Sequence, residues 1–275
     1  MTEEPANTIE ARLDAVQSCL PELGENLMVL QIGDLGVKAK SNSFDLLTKA
    51  DTASEARLVD TISRNFPGDV ILAEEASAQP GSEEDPGERF LWILDPIDGT
   101  TNFANRLPVW AVSIGLMQNS ELLGGIVYAP AMGLHYRAIK GAGATCNGSP
   151  IRVNRKKCLG EGIIATGFPY DRAERAGPIC RALENMLREA GGIRRLGAAS
   201  LDFCFLADGR YAGYYEMGLK PWDYAAGSLI AREACATVTD FHGNALNIFC
   251  SQGVVATNGH IHEELLQATR PLANA

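Results

Sequence analysis

WILDPIDGTTNF, residues 92–103, places two aspartates at the end of an apolar, β-rich run. Asp95 and Asp98 lie three residues apart, with Pro96 stiffening the turn and Gly99 relaxing it. Two carboxylates this close repel each other if both are ionised and unpaired, and a divalent cation is the usual remedy. Neither His nor Cys accompanies them, which favours Mg²⁺ or Mn²⁺ over zinc. The alternative is an Asp-Gly turn followed by a capping Thr.

The residues that follow this pair suit an anion. Thr100, Thr101 and Asn102 can open a helix, and the first backbone N–H groups of a helix have no partner within it. Those free N–H groups and the helix dipole both favour negative charge. The stretch therefore predicts a phosphate site beside a cation site.

Three other acidic segments are candidates to join the pair. ILAEEAS (71–77) ends an apolar strand in Glu74 and Glu75, and strand alternation sends only one of them inward while the other stays outside. Asp223 of KPWDYAAGSLIAREA and Asp51 of LLTKADTASE each stand at a predicted helix start, where a simple cap is the alternative to a functional role. For a single Glu at a strand end, the alternative is exposure to solvent.

Hydrophobic periodicity predicts the elements around these segments. The apolar stripe from Thr8 to Leu30 is typical of an amphipathic helix that covers a core, with Thr8 as its N-cap. A second helix is predicted to begin at Asp51 and to end before Pro67. Strands are predicted at 69–75 and 89–95, joined by an acidic loop at 78–88, and then at 109–117, 121–129 and 133–139 as an antiparallel meander.

The second half of the chain alternates between strand and helix. In order it contains a strand at IIATGF (163–168), a helix near 176–190, GIRRLG (192–197), a helix from about Ala199, a strand at YAGYYEMG (211–218) and a helix from Trp222. This indicates a layered α/β fold. We expect two tightly packed halves that form one unit, 1–150 with most of the acidic cluster and 151–275 with Asp223.

Composition excludes several classes of protein. The 275 residues are 46% hydrophobic and carry a net charge of -10, so we expect a folded protein that repels nucleic acid and anionic lipid. The acidic start MTEEPANTIEARLD is unlike a secretory signal, and no run of 18 apolar residues could span a membrane. Seven scattered cysteines without a CxxC pair are expected to be small buried hydrophobes in a reducing cytoplasm.

Three motifs together resemble the inositol monophosphatase family of Mg²⁺-dependent, lithium-sensitive phosphatases. They are WILDPIDGTTNF (92–103), WDYAAG (222–227) and AEEAS (73–77), and the similarity runs from about Lys40 to Ala256. The resemblance implies the α-β-α-β-α sandwich of the inositol monophosphatase/fructose-1,6-bisphosphatase type. It also implies a homodimer and lithium sensitivity.

The resemblance further implies a role for each matching residue. Two or three Mg²⁺ ions, with Mn²⁺ as a substitute, would be bound by Glu74, Asp95, the main-chain carbonyl of Ile97, Asp98 and Asp223. Thr100, oriented by Asp51, would position or deprotonate a metal-bound water, with Glu74 also in the catalytic group. Substrate contacts would fall on Asp98, Gly99, Thr100, Gly197, Ala198, Ala199, Glu216 and Asp223. Lys40 belongs to the loop before Asp51.

The motifs leave the phosphate ester open. Ile97, Glu216 and the absence of a nucleotide-sized insertion favour myo-inositol monophosphate. Histidinol phosphate, fructose 1,6-bisphosphate and 3′-phosphoadenosine 5′-phosphate are the alternatives. A bisphosphate needs a basic pocket, to which Arg172, Arg194 and Arg195 are candidate contributors, with surface charge as the other interpretation. A non-catalytic interaction module that retains the fold is the alternative of another class, and the intact carboxylates argue against it.

Overall fold

The computed structural model describes residues 8–40, 46–75 and 87–273. The acidic loop 78–88, up to residue 86, and the end of the AEEAS motif lie outside the described residues. The α-helices are α1 Ile9–Gln17, α2 Leu20–Ile32, α3 Lys49–Asn65, α4 Thr100–Ala104, α5 Ala176–Glu189, α6 Ala199–Ala207, α7 Pro221–Glu233 and α8 His262–Thr269. Short 3₁₀ helices lie at Pro130–Met132, Leu159–Glu161 and Arg270–Leu272.

The strands form two large sheets and one short hairpin. They are β1 Lys38–Ala39, β2 Leu46–Leu47, β3 Val70–Ala73, β4 Leu91–Asp98, β5 Ala111–Gln118, β6 Glu121–Ala129, β7 Leu134–Ile139, β8 Gly143–Cys146, β9 Ser149–Pro150, β10 Ile163–Thr166, β11 Gly192–Arg194, β12 Gly213–Met217, β13 Thr237–Thr239 and β14 Gly253–Thr257. The hairpin pairs β1 with β2.

The larger sheet has the order β3-β4-β5-β6-β7-β8-β9, with β3 and β4 parallel and every later pair antiparallel. This confirms the predicted meander and extends it by two strands. The smaller sheet has the order β11-β10-β12-β14-β13 and mixes parallel and antiparallel pairs. Both sheets carry buried faces, since apolar side chains fill the space on either side of them.

The elements stack in five layers. Helices α1 to α3 cover one face of the larger sheet, and α6 and α7 pack between the two sheets. Helices α5 and α8 cover the outer face of the smaller sheet. The α-β-α-β-α sandwich expected from the resemblance is therefore confirmed.

Several helix boundaries differ from the sequence prediction. The stripe from Thr8 to Leu30 forms two helices that break at Ser18 and Cys19, because Pro21 suits only the first turn of a helix. Thr8 is the N-cap of α1, as predicted, and its hydroxyl accepts from the N–H of Ala11 at 3.1 Å.

The burial predicted for the cysteines is only partly confirmed. All seven are free, but only Cys19 and Cys204 are buried, so the expectation of burial is wrong for the exposed Cys158, Cys180, Cys235 and Cys250. None of the described helices is both long enough and apolar enough to cross a membrane.

Candidate active site

The centre of the site is the end of β4, where the strand leaves its register. The pairing of β4 with β5 shifts between Asp95 and Asp98, at the point where Pro96 removes a backbone donor from the ladder. The N–H of Ile97 turns back to donate to Asp95 Oδ1 at 3.0 Å. Asp95 and Asp98 are 2% and 6% exposed, so β4 delivers both carboxylates into the interior.

Helix α4 begins directly after this bulge. Gly99 has φ +91°, and a Cβ there would lie 3.0 Å from the carbonyl oxygen of Val109, so the turn accepts only glycine. The turn places Thr100 Oγ1 3.0 Å from the carbonyl oxygen of Ile97 and 3.2 Å from Asp51 Oδ1. Gly99 and Thr100 line a cavity in front of the carboxylates, together with Thr101.

Asp51 reaches the site from α3. The prediction that it begins this helix is wrong, because the N-cap is Thr48 and Asp51 is the third helical residue. The N–H of Thr48 donates to Asp51 Oδ2 at 2.7 Å, and the Thr48 hydroxyl also donates to this oxygen. This capping box fixes the buried carboxylate and leaves Oδ1 for Thr100. Asp51 therefore caps α3, as its alternative interpretation proposed, and also contacts Thr100.

The N-terminus of α6 holds Asp98. The N–H of Ala199 donates to Asp98 Oδ1 at 3.1 Å, and the N–H of Ser200 donates to Oδ2 at 2.7 Å, as does the Ser200 hydroxyl. Gly197 and Ala199 line the cavity, whereas Ala198 is buried as the N-cap of α6. Sequence reasoning missed Ser200, since nothing local to it signals a contact 102 residues away.

Asp223 comes from the start of α7. It is the third residue of this helix, and the N–H of Lys220 donates to Asp223 Oδ2 at 2.6 Å. Asp223 therefore serves as a cap, as its alternative interpretation proposed. It also lies close enough to Glu74 and Asp98 for their charges to raise its pKa.

Glu74 follows β3 and lies beside Lys40. The Lys40 Nζ is 2.7 Å from Glu74 Oε1 and 2.6 Å from Glu75 Oε1. The prediction that Glu75 stays outside is wrong, since its side chain is only 12% exposed. Alternation does not govern the pair, because β3 ends at Ala73 and both residues lie in the following turn. The position of Lys40 against both acids was not anticipated.

The carboxyl groups of the cluster disfavour one another's ionisation. Burial raises the pKa of Asp95 well above its usual range, and the neighbouring Glu74, Asp98 and Asp223 raise it further. Burial also raises the pKa of Asp223 well above its usual range and that of Asp98 to about 6. Burial raises the pKa of Glu74 even though Lys40 opposes the shift. Four carboxyl groups that resist ionisation together fit the oxygen donors of a hard divalent cation.

The described side chains do not already enclose an ion. No three His, Cys, Asp or Glu side chains in the described ranges converge as tightly as a finished metal site. One reason is visible at Glu74, whose carboxylate is held by Lys40. A cation would therefore compete with the Lys40 ammonium for this ligand.

Glu216 stands at the other side of the cavity, on β12. The hydroxyl of Tyr214 donates to Glu216 Oε2 at 2.7 Å. Burial raises the pKa of Glu216 to about 7. Gly167 leaves room for it, because a Cβ at that position would overlap the Glu216 carboxyl group in its present position. The sequence singled out Glu216 but gave no sign of Gly167.

The cavity has a volume of about 460 Å³ and also carries basic and aromatic side chains. Arg172 and Arg195 line it, with Phe168 and Tyr170. The Arg195 guanidinium lies 5.6 Å from the centre of the Phe168 ring. Arg194 is exposed and does not line this cavity, so of the three arginines only two are brought to the site.

Comparison with known proteins places this site in a family. The chain is 40% identical to an inositol-1-monophosphatase of Synechocystis over 239 residues, which is 84% of this chain and 79% of that protein. It is 39% identical to the Nus factor SuhB of Vibrio cholerae over 236 residues, which is 86% of each chain.

Solved structures of related proteins support the same family assignment. An inositol monophosphatase from Anabaena has a TM-score of 0.82 at 34% identity, covering 97% of this chain and 99% of that one. An IMPase/NADP phosphatase in complex with Mg²⁺ and phosphate has a TM-score of 0.79 at 25% identity, covering 93% of each. The profile of the inositol monophosphatase family matches residues 8–273. This chain therefore belongs to the inositol monophosphatase family, as its motifs predict.

Proposed function

We propose that this chain hydrolyses a small phosphomonoester with the help of Mg²⁺, and that its substrate is myo-inositol monophosphate, which yields inositol and phosphate. The observation that carries the proposal is the convergence of acids from β4, α7 and the turn after β3 beside the Thr100–Asp51 pair. Oxygen ligands in this number suit Mg²⁺. The related structure bound to Mg²⁺ and phosphate supports the same assignment.

Five oxygen donors are proposed to hold the metal: Glu74, Asp95, the Ile97 carbonyl, Asp98 and Asp223. When bound, Mg²⁺ supplies positive charge that offsets the carboxylates and the phosphate and favours the ionisation of water. Asp98 is prepared for this role because α6 donates hydrogen bonds to both of its oxygens. Those contacts fix its orientation before any ligand arrives.

The chain's own groups account for the proton and the orientation of the nucleophile. Thr100 is held by Asp51 and would orient the attacking water in line with the scissile P–O bond. Asp51 is the proposed final acceptor of the water's proton, and burial raises the pKa of this carboxyl, which makes it a better base. The ester oxygen leaves phosphorus and takes up a proton from solvent as the alcohol, and Asp51 returns the proton it accepted to solvent.

Glu216 is the proposed contact for the substrate's hydroxyl groups. Glu216 lines the same cavity as Gly99 and Thr100, and its carboxylate accepts a hydrogen bond from Tyr214. An ionised carboxylate accepts hydrogen bonds from neighbouring hydroxyls, which distinguishes a polyol from a plain alcohol.

A second candidate substrate class follows from the two arginines. Arg172 and Arg195 line the same cavity as Glu216, and guanidinium groups bind phosphate well. They favour a substrate with a second phosphate, such as fructose 1,6-bisphosphate. A non-enzymatic role is the third candidate, because curated relatives at 36–39% identity bear the name Nus factor SuhB.

One experiment separates the three candidates. Phosphate release is measured with Mg²⁺ on myo-inositol 1-phosphate, histidinol phosphate, fructose 1,6-bisphosphate and 3′-phosphoadenosine 5′-phosphate, and the substrates are ranked by kcat/KM. We expect inositol 1-phosphate to rank first. A first rank for the bisphosphate, lost on Arg195→Gln, would assign the second class. No release from any of the four would favour an interaction module.

A further inference from the structure

A second cavity lies at the opposite end of α7 from Asp223. Its volume is about 540 Å³, and it is bounded by the β5–β6 turn, the last turn of α7 and the segment 245–249. Arg232 lines it from α7, nine residues after Asp223, which corresponds to about 13 Å along the helix axis. None of the proposed metal or substrate ligands lines this cavity.

Arg232 carries a positive charge that the described residues do not match. None of the ion pairs or side-chain hydrogen bonds in the described ranges involves its guanidinium group. Burial lowers the pKa of Arg232. The last turn of a helix tolerates such a cation, because the helix dipole places partial negative charge there.

The other charged residues around the cavity are already paired. Lys140 forms an ion pair with Glu121. The carboxylate of Glu233 accepts from the N–H of Gly141 at 2.9 Å and from the N–H of Gly143 at 2.8 Å. Among the charged residues described around the cavity, Arg232 is therefore the one whose side chain has neither an ion pair nor a hydrogen bond.

The rest of the wall is largely apolar. Leu229 and Ile248 are 3% and 4% exposed, and Leu246 and Phe249 pack partly buried against the same core. A cavity that combines an apolar wall with one convergent charged group has the properties of a small-molecule site. Its volume is in the range of such sites, which is about 300–1,000 Å³.

We propose that this cavity binds a small molecule with one carboxylate and an apolar body, the carboxylate held by the Arg232 guanidinium. A guanidinium group offers two parallel N–H donors that match the two oxygens of a carboxylate. The single negative charge balances Arg232, whereas a phosphate dianion would add a second charge close to Glu121 and Glu233. The apolar body covers Leu229, Leu246 and Phe249.

The test is calorimetric titration of the Mg²⁺-loaded protein with hexanoate, and with acetate as the probe that lacks the apolar body. We expect saturable binding of one hexanoate per chain and at least about tenfold weaker binding of acetate. Arg232→Gln should weaken hexanoate binding at least about tenfold, the scale of a charge-assisted contact. The matched control is Arg188→Gln, in the last turn of α5, where Arg188 is exposed and pairs with Glu184.

A second measurement applies to the parent protein alone, in case Arg232→Gln does not fold. Hydrogen exchange with and without hexanoate should show protection in 229–233 and 245–249. Three outcomes overturn the proposal: no saturable binding of hexanoate, equal binding by the parent and Arg232→Gln, or protection confined to the acid cluster. Equal loss in Arg188→Gln would also overturn it, since that residue lies outside the cavity.

Discussion

Thr100 Oγ1 lies 3.2 Å from Asp51 Oδ1, so the first residue of α4 meets the first turn of α3 across 49 positions of sequence. The other Asp51 oxygen is held by Thr48, which fixes the direction from which Oδ1 meets Thr100. Thr100→Val keeps the shape of the side chain and removes this contact. We expect kcat for inositol 1-phosphate to fall by about 10²-fold or more, the usual contribution of a positioned proton-transfer group.

Thr101→Val is the control for this prediction. Thr101 is the next residue of α4 and also lines the cavity, but its hydroxyl makes no contact with Asp51. It should retain most of the parent kcat. Equal losses of kcat in both variants would show that the substitutions act by disturbing the cavity wall and not by breaking the Thr100–Asp51 contact.

Asp95→Asn tests the acid cluster itself. The substitution keeps the size of the side chain and its contact with the Ile97 N–H, while it removes the charge that the other carboxylates oppose. Turnover with Mg²⁺ should be abolished. The free energy of unfolding in EDTA should not fall, because a buried repulsive charge has been removed. Retention of more than about a tenth of the parent kcat, roughly 1.4 kcal/mol in barrier height, would make Asp95 only a turn residue.

How far the site could be predicted depends on the range of each contact. Asp95 and Asp98 were predictable, because their spacing and the glycine after them are local features of one strand end. Ser200 was not, since only the tertiary fold brings its N–H to Asp98, 102 residues away. The prediction that Glu75 lies outside the site was wrong because it assumed that β3 continues to residue 75. The strand ends at Ala73, and that end is set by pairing with β4, which the periodicity of one strand does not reveal.

The fold, like the site, could be predicted only in part from the sequence. The five layers followed from the family resemblance, and periodicity predicted the central strands of the larger sheet. The short strands β8 and β9 and the strands β13 and β14 of the smaller sheet were not predicted. The break between α1 and α2 was missed because the apolar stripe continues through it, although Pro21 is a local signal for the start of a new helix. The close approach of Gly24 to Tyr128 depends on packing between α2 and the sheet.

Removal of metal should make stability depend on pH in a defined direction. Burial raises the pKa of Asp98 to about 6 and that of Glu216 to about 7, so the native state binds these protons more tightly than the unfolded state does. Stability in EDTA should therefore fall as pH rises from about 4 to about 7, by on the order of a few kcal/mol.

Mg²⁺ should reverse this loss at the upper end of the range, where the carboxylates are ionised and able to bind it. The measurement is chemical denaturation at a series of pH values with EDTA and with Mg²⁺. An increase of stability with pH in EDTA over this window would contradict the prediction. So would a stabilisation by Mg²⁺ that is largest at the acidic end.

Glu216→Gln separates substrate recognition from the metal cluster. Gln can still accept from the Tyr214 hydroxyl, so the local packing beside Gly167 is preserved while the charge is lost. We expect a loss of kcat/KM for inositol 1-phosphate that corresponds to about 1–3 kcal/mol of transition-state stabilisation. This is the scale of a hydrogen bond to a charged group. An aryl phosphate without hydroxyls near its phosphate should lose little, and the Mg²⁺ concentration for half-maximal rate should not change. An equal loss on both substrates would instead assign Glu216 to support of the fold or of Asp98, whose charge lies close enough to raise the Glu216 pKa.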